Sequence, residues 1–157
     1  MNINVKNFLK KIIYKLGWDI YRFEPSSSPP KQIMSVLKKK NIDIVFDIGA
    51  NIGQFAKDLR SAGYDDEIVS FEPLTKAHAS LQKIAKKDRK WRVHDPVAIG
   101  DQNKKIKINI SENSVSSSVL PIMKKHLSAA ETSKYISSEI VNMCKLDSIS
   151  EKYLNNN

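Results

Sequence analysis

The sequence predicts an α/β protein built on a mainly parallel sheet. Three observations point there. Short β-branched and aromatic runs alternate with amphipathic stretches in the order strand, helix, strand, helix. The run Ile42 to Ile48, IDIVFDI, is apolar enough for burial on both faces. A G-x-N-x-G turn, Gly49 to Gly53, joins that run to the helix after it. Right-handed crossovers then bring the loops after the first two strands to the carboxyl end of the sheet, where such folds hold ligands.

Taken in order, Phe8, Leu9, Ile12, Ile13 and Leu16 follow the spacing of an amphipathic helix, with Lys6, Lys10, Lys11 and Lys15 mostly elsewhere around it. Such a helix either packs its apolar face on the domain or lies on an anionic membrane surface, a peripheral contact through residues 3–16. Glu24 to Pro30, EPSSSPP, lacks periodicity and reads as a linker. Residues 1–30 are thus expected to form a basic helix and linker, and residues 31–157 the main domain.

Lys31 to Lys40 reads as a helix through Ile33, Met34 and Leu37, with Lys38 to Lys40 suited to its negative end. After the first strand, Phe55, Leu59 and Ala62 mark a helix stopping at Gly63. Ile68 to Phe71 is the second strand, Leu74 to Lys87 the second helix, and Trp91 to Ile99 the third strand. Lys104 to Ile110, KKIKINI, alternates as a strand with one wet face should. Ser111 to Ser118 is a polar loop, Pro121 to Ala130 a short helix, and Ser138 to Leu146 a last strand.

With 157 residues, 41% of them hydrophobic and only 5 Gly and 6 Pro, the chain can bury one core and is not a low-complexity sequence. One cysteine, Cys144, excludes an internal disulfide framework and a cysteine-based zinc cage, and no metal site is expected. Apolar runs fall far short of the roughly 20 residues that span a bilayer, so a cytoplasmic location is expected, peripheral to the inner membrane face on the membrane reading. Residues 1–40 carry nine Lys and Arg against Asp19 and Glu24, and so hold seven of the nine net positive charges. Aromatics are not interleaved with these cations, which argues against a nucleic-acid module.

The first loop reads Val45 to Gly53, VFDIGANIG. Gly49 and Gly53 permit a tight turn and close backbone approach, and Asp47 offers an acceptor at the strand end. Glu72, 19 residues past Gly53 at the end of the second strand, is placed to accept both hydroxyl protons of a ribose. A carboxylate ahead of the turn would repel a pyrophosphate but suits the amino group of an amino-acid moiety, which favours S-adenosylmethionine over a dinucleotide.

Four segments in order, VFDIGANIGQFA at Val45, SAGYDDEIVSFEPL at Ser61, WRVHDPVAIGD at Trp91 and NSVSSSVL at Asn113, resemble the FkbM-family S-adenosylmethionine-dependent methyltransferases over roughly Asn41 to Ile149. The resemblance implies a class I, Rossmann-like methyltransferase fold with an antiparallel hairpin region. It implies O-methylation of a hydroxyl on a sugar, often in polysaccharide biosynthesis, or on a secondary metabolite. Asp47, Gly49, Asn51 and Gly53 would hold the methionine portion and Glu72 the ribose, Ala50 and Pro73 would also belong to the cofactor-binding set, and Asp95 to Ala98 would lie near adenine. Ser116 and Ser117, in the serine-rich loop with Ser114 and Ser118, are candidates to touch the acceptor. No residue is assigned as the catalytic base; His94 and His126 are candidates by type alone.

Family members continue past a segment like Lys145 to Ile149 with a strand that pairs with the first strand, and no such strand is visible here. The fold is therefore expected to be partial, with an apolar strand edge open to self-association. The competing reading is an inactive cofactor-binding or partner-binding remnant of such an enzyme.

Overall fold

A computed structural model of the protein describes residues 28–112, 117–118 and 135–154. The amphipathic stretch at residues 3–16, the helix expected at Pro121 to Ala130, and Ser114, Ser116 and His126 lie outside the described residues.

The first described helix, α1, spans Pro29–Lys39. The prolines expected to belong to a linker instead begin it: their fixed φ suits the first turn, where a missing N–H costs nothing. The Ser28 carbonyl accepts the N–H groups of Lys31 and Gln32, each at 3.0 Å. Lys38 and Lys39 sit in the last turn, as the helix dipole favours.

The parallel sheet has the order β1-β2-β3, from Ile44–Ile48, Glu67–Phe71 and Trp91–Val93. Ile44 aligns with Glu67 and Ile48 with Phe71, while Ile68 aligns with Trp91. Helix α2, Gln54–Ser61, connects β1 to β2, and α3, Thr75–Ala85, connects β2 to β3. The expectation that the first strand is buried on both faces fails. The central β2 carries the fully buried Ile68, Val69, Ser70 and Phe71, whereas β1 is an end strand among the described residues and leaves Ile48 51% exposed.

Trp91 to Ile99 is not one strand. It divides into β3 and a second piece, β4 at Ala98–Ile99, around Pro96, which has no N–H to give a ladder. β4 joins a different sheet of order β4-β6-β5, in which β5 is Lys104–Ser111 and β6 is Tyr135–Cys144. β6 runs parallel to β4 and antiparallel to β5, with Ile108 opposite Glu139. The last strand thus begins three residues earlier than expected and forms a long hairpin pair with β5.

Helix α4, Asp147–Leu154, was not anticipated. Its Tyr153 packs edge-on against Phe46 and Phe71, with ring centroids 6.2 and 6.1 Å away, and joins the core around Val69 and Val97. A second cluster, Ala56, Leu59, Tyr64, Leu81 and Trp91, lies beneath α2 and α3. A third, Leu74, Ala77, Ala98, Ile108 and Val141, seats the β5–β6 pair against the start of α3. No helix among the described residues is long and apolar enough to cross a membrane.

Candidate functional site

The loops after β1 and β2 meet at the carboxyl end of the parallel sheet. Gly49 and Ala50 both donate their N–H groups to the Phe71 carbonyl, at 2.9 and 3.0 Å, so the turn begins anchored to the end of β2. Gly49, Asn51 and Gly53 have φ of 77°, 48° and 80°, a left-handed conformation at every second residue. The glycines serve different needs. A Cβ on Gly49 would meet nothing within 4 Å, so only its backbone conformation calls for glycine. A Cβ on Gly53 would lie 2.8 Å from the Trp91 ring and 2.9 Å from Leu81, so there the close approach comes from the protein's own core.

Beneath the turn, Asp47 is 6% exposed. The Ser70 hydroxyl donates to its Oδ2 at 3.1 Å, and Trp91 Nε1 donates to that hydroxyl at 2.9 Å. This chain fixes the carboxylate's orientation from below. Burial pushes the Asp47 carboxyl above its usual range; the Ser70 bond opposes the shift and the charge of Glu72 adds to it.

Glu72 is 4% exposed and holds two backbone groups at once. Its Oε2 accepts from the Asn51 N–H at 2.8 Å and its Oε1 from the Leu74 N–H at 2.9 Å. Burial raises its pKa, against those two hydrogen bonds and the nearby His78, while Glu139 pushes the same way as burial. An ionised carboxylate has about four acceptor positions, so two backbone bonds leave capacity for ligand hydroxyls.

Gly49, Asn51, Glu72, Pro73, Leu74, Ile108 and Ser117 surround a cavity of about 140 Å³. The fold therefore brings Ser117 of the serine-rich loop to the same cavity as the turn and the β2 carboxylate. Ser117 is held there because its Oγ accepts the Ser111 N–H at 3.1 Å, next to a bridge between Asn109 and Ser118. A wider cavity of about 410 Å³ shares Asn51 and Leu74 with the first and extends between α3 and the β5–β6 pair. Its lining includes Ser80, Ser111, Ser137 and Glu139 with Ile110 and Ile136.

Residues 47–157 match the family model for the methyltransferase FkbM domain. The chain belongs to the FkbM methyltransferase family. No curated protein and no solved structure matches it. The two sheets and their helices correspond to a partial Rossmann-like methyltransferase fold.

In this methyltransferase the other candidate residues line neither cavity: Asp47 is buried beneath the turn and Gly53 is packed against Trp91 and Leu81. Ala50 is buried in the core. Ala98 also packs inward, against Leu74 and Ile108, and Asp95 is exposed in the turn after β3. His94 stacks beside Phe71 at 5.4 Å and Tyr153 at 6.1 Å, with Nδ1 2.9 Å from the Asp95 carbonyl. That is an aromatic packing position and not a place on either cavity wall. The residue that sequence reasoning passed over is Glu139, whose carboxylate accepts from the N–H and hydroxyl of Thr75 and so ties β6 to the start of α3. Its only local signal was a carboxylate within the alternating run of β6. Among the described residues no group of three or more His, Cys, Asp or Glu is arranged to hold a metal ion.

Proposed function

We propose that this FkbM methyltransferase uses S-adenosylmethionine as methyl donor and methylates a hydroxyl of a sugar or glycan, or of a comparably hydroxylated metabolite. The observation that carries the reading is the pair of buried carboxylates, Asp47 and Glu72, at neighbouring strand ends around a left-handed turn. Two buried acceptors fit a ligand that brings a cationic amino-acid end and ribose hydroxyls, and they disfavour a pyrophosphate. When bound, S-adenosylmethionine supplies an electrophilic methyl group on a sulfonium sulfur.

The chain's own part is positioning. Gly49 and Asn51 present backbone at the 140 Å³ cavity and Glu72 offers its remaining lone pairs to ribose, while Asp47, buried beneath the turn and outside the lining of either cavity, acts on a ligand only through its charge. The adjoining 410 Å³ cavity falls within the size range of small-molecule sites and combines isoleucine walls with serine hydroxyls and Glu139, a lining suited to the hydroxylated acceptor. With the donor held there, the acceptor oxygen would take the methyl group and give up its proton to a carboxylate or water, and the donor would leave as a neutral thioether.

Isothermal titration with S-adenosylhomocysteine, followed by transfer of a radiolabelled methyl group into crude glycans and methyl glycosides, tests this reading. Saturable binding with label in the carbohydrate is the expected result. Failure to bind would overturn the cofactor assignment. Binding without transfer to any hydroxylated acceptor would favour a protein that holds the cofactor without catalysis.

A further inference from the structure

A groove of about 440 Å³ lies at the amino ends of β1 and β2, the end of the parallel sheet opposite the candidate site. It is bounded by α1, by Asn41 to Asp43 ahead of β1, and by Gly63 to Asp66 ahead of β2. Its apolar side is formed by Met34 and Leu37 of α1, both half-buried, and by Ile42, which is 39% exposed. Tyr64 is buried there, with its hydroxyl 3.3 Å from the Ile42 carbonyl that accepts from it. The other side is anionic. Asp43, Asp65 and Asp66 line it with Lys38 as the cation. Asp66 pairs with Lys90 at 3.4 Å, whereas no ion pair to Asp43 or Asp65 is formed among the described residues. The accumulated negative charge is felt locally: burial and then the charges of Asp66 and Asp43 push the Tyr64 hydroxyl up to about 12.

An apolar groove with an acidic rim calls for an amphipathic segment with a cationic flank. The chain carries one. We propose that residues 6–16, which lie outside the described residues, dock in this groove, setting apolar side chains of the Phe8 to Leu16 stripe against Met34, Leu37 and Ile42, with lysines of the same segment beside Asp43 and Asp65. The tether permits it. Helix α1 is about 16 Å long at 1.5 Å per residue, and the eleven residues from Gly17 to Ser27 reach up to roughly 36 Å when extended, enough to double back along it. Tethering also gives the segment a high effective concentration at the groove, an advantage that a free basic peptide lacks. The competing occupant of the same lysines is an anionic lipid surface.

Carbodiimide cross-linking of the full-length chain, mixed with an equal amount of 15N-labelled chain and read by mass spectrometry, tests the proposal. Links from Lys6, Lys10, Lys11 or Lys15 to Asp43, Asp65 or Asp66 are expected within single chains. The double substitution Ile12→Asp, Ile13→Asp, at positions outside the described residues, should reduce those links at least fivefold. Asp43→Lys with Asp65→Lys, both at exposed positions, should speed tryptic cleavage after Lys10 and Lys11 at least tenfold. The proposal is overturned by links that persist in the Ile12/Ile13 variant, by links that join only different chains, or by their absence. Absence together with co-sedimentation on vesicles containing one quarter phosphatidylglycerol would assign the segment to a lipid surface.

Discussion

The carboxylate of Glu72 accepts the backbone N–H of Asn51 at 2.8 Å, tying the turn after β1 to the end of β2 across 21 residues of sequence. The residue proposed to receive a ribose is therefore also one that shapes the loop after β1. The proposed ligand contact and the loop staple would draw on the same two oxygens.

Replacing Glu72 with Gln leaves one acceptor oxygen where there were two, so only one of the Asn51 and Leu74 N–H bonds survives. Loss of a bond to a charged acceptor costs about 1.5–3 kcal/mol, and one of the two amides should exchange with solvent at least tenfold faster, as read by hydrogen-exchange NMR. In Glu72→Ala, a 2′-deoxy analogue of S-adenosylhomocysteine should lose much less affinity relative to the parent ligand than it does in the unaltered protein. Equal losses in both proteins would remove Glu72 from the ribose site.

The two glycines of the turn should separate on substitution. Gly49→Ala meets only the left-handed backbone, a cost of about 1–2 kcal/mol. Gly53→Ala meets the same strain and also drives a methyl group into Trp91 and Leu81, adding roughly 1–3 kcal/mol of overpacking. Urea denaturation should rank the parent above Gly49→Ala and Gly49→Ala above Gly53→Ala.

Because burial raises the Asp47 carboxyl, the folded chain holds that proton more tightly than the unfolded chain does. Its contribution to stability is greatest in acid and is lost as pH rises from the ordinary carboxylate range through the raised value. Asp47→Asn stays neutral throughout and can still accept from Ser70. The stability difference, variant minus parent, should therefore grow in the variant's favour between acid and neutral pH, as followed by urea titrations across that range. Affinity for S-adenosylhomocysteine should move oppositely in the parent, strengthening as Glu72 in the cavity wall and Asp47 beneath the turn ionise and attract the ligand's ammonium. Calorimetry in buffers of different ionisation enthalpy would register the accompanying proton release.

Glu139→Ala removes the acceptor for the Thr75 N–H and hydroxyl at the start of α3. The loss should resemble that of a helix cap, about 0.5–2 kcal/mol. Thermal melts would measure it. Glu139→Gln should restore part of the stability, since its amide oxygen can still accept.

The first half of the fold was legible because its signals are local. The apolar run of β1, the glycine turn and the spacing to Glu72 each fit within one supersecondary unit, and the observed strands and helices begin or end within about three residues of their expected places. The second half depends on partners distant in sequence. Pro96 signals a break between Trp91 and Ile99, but it does not announce that Arg92 belongs beside Val69 while Ala98 belongs beside Met143. The pairing of Ile108 with Glu139 spans the serine-rich loop, so the carboxylate that reaches Thr75 could not be located before that register was known. Tyr153 was missed for the same reason: α4 is a weakly patterned eight-residue helix whose place is set by the rings of Phe46 and Phe71.

The Trp91 indole lies under the glycine turn, close enough to Gly53 to forbid a side chain there, and its N–H reaches Asp47 through the Ser70 hydroxyl. The molecule thus carries an optical reporter within its own scaffold. Charge that arrives over Asp47 alters the field along that hydrogen-bonded chain, and emission from the buried indole can register it without any attached dye. Trp18 is the second tryptophan, and its replacement by Phe would leave Trp91 as the only tryptophan, so that emission excited beyond the tyrosine band would report on the turn alone.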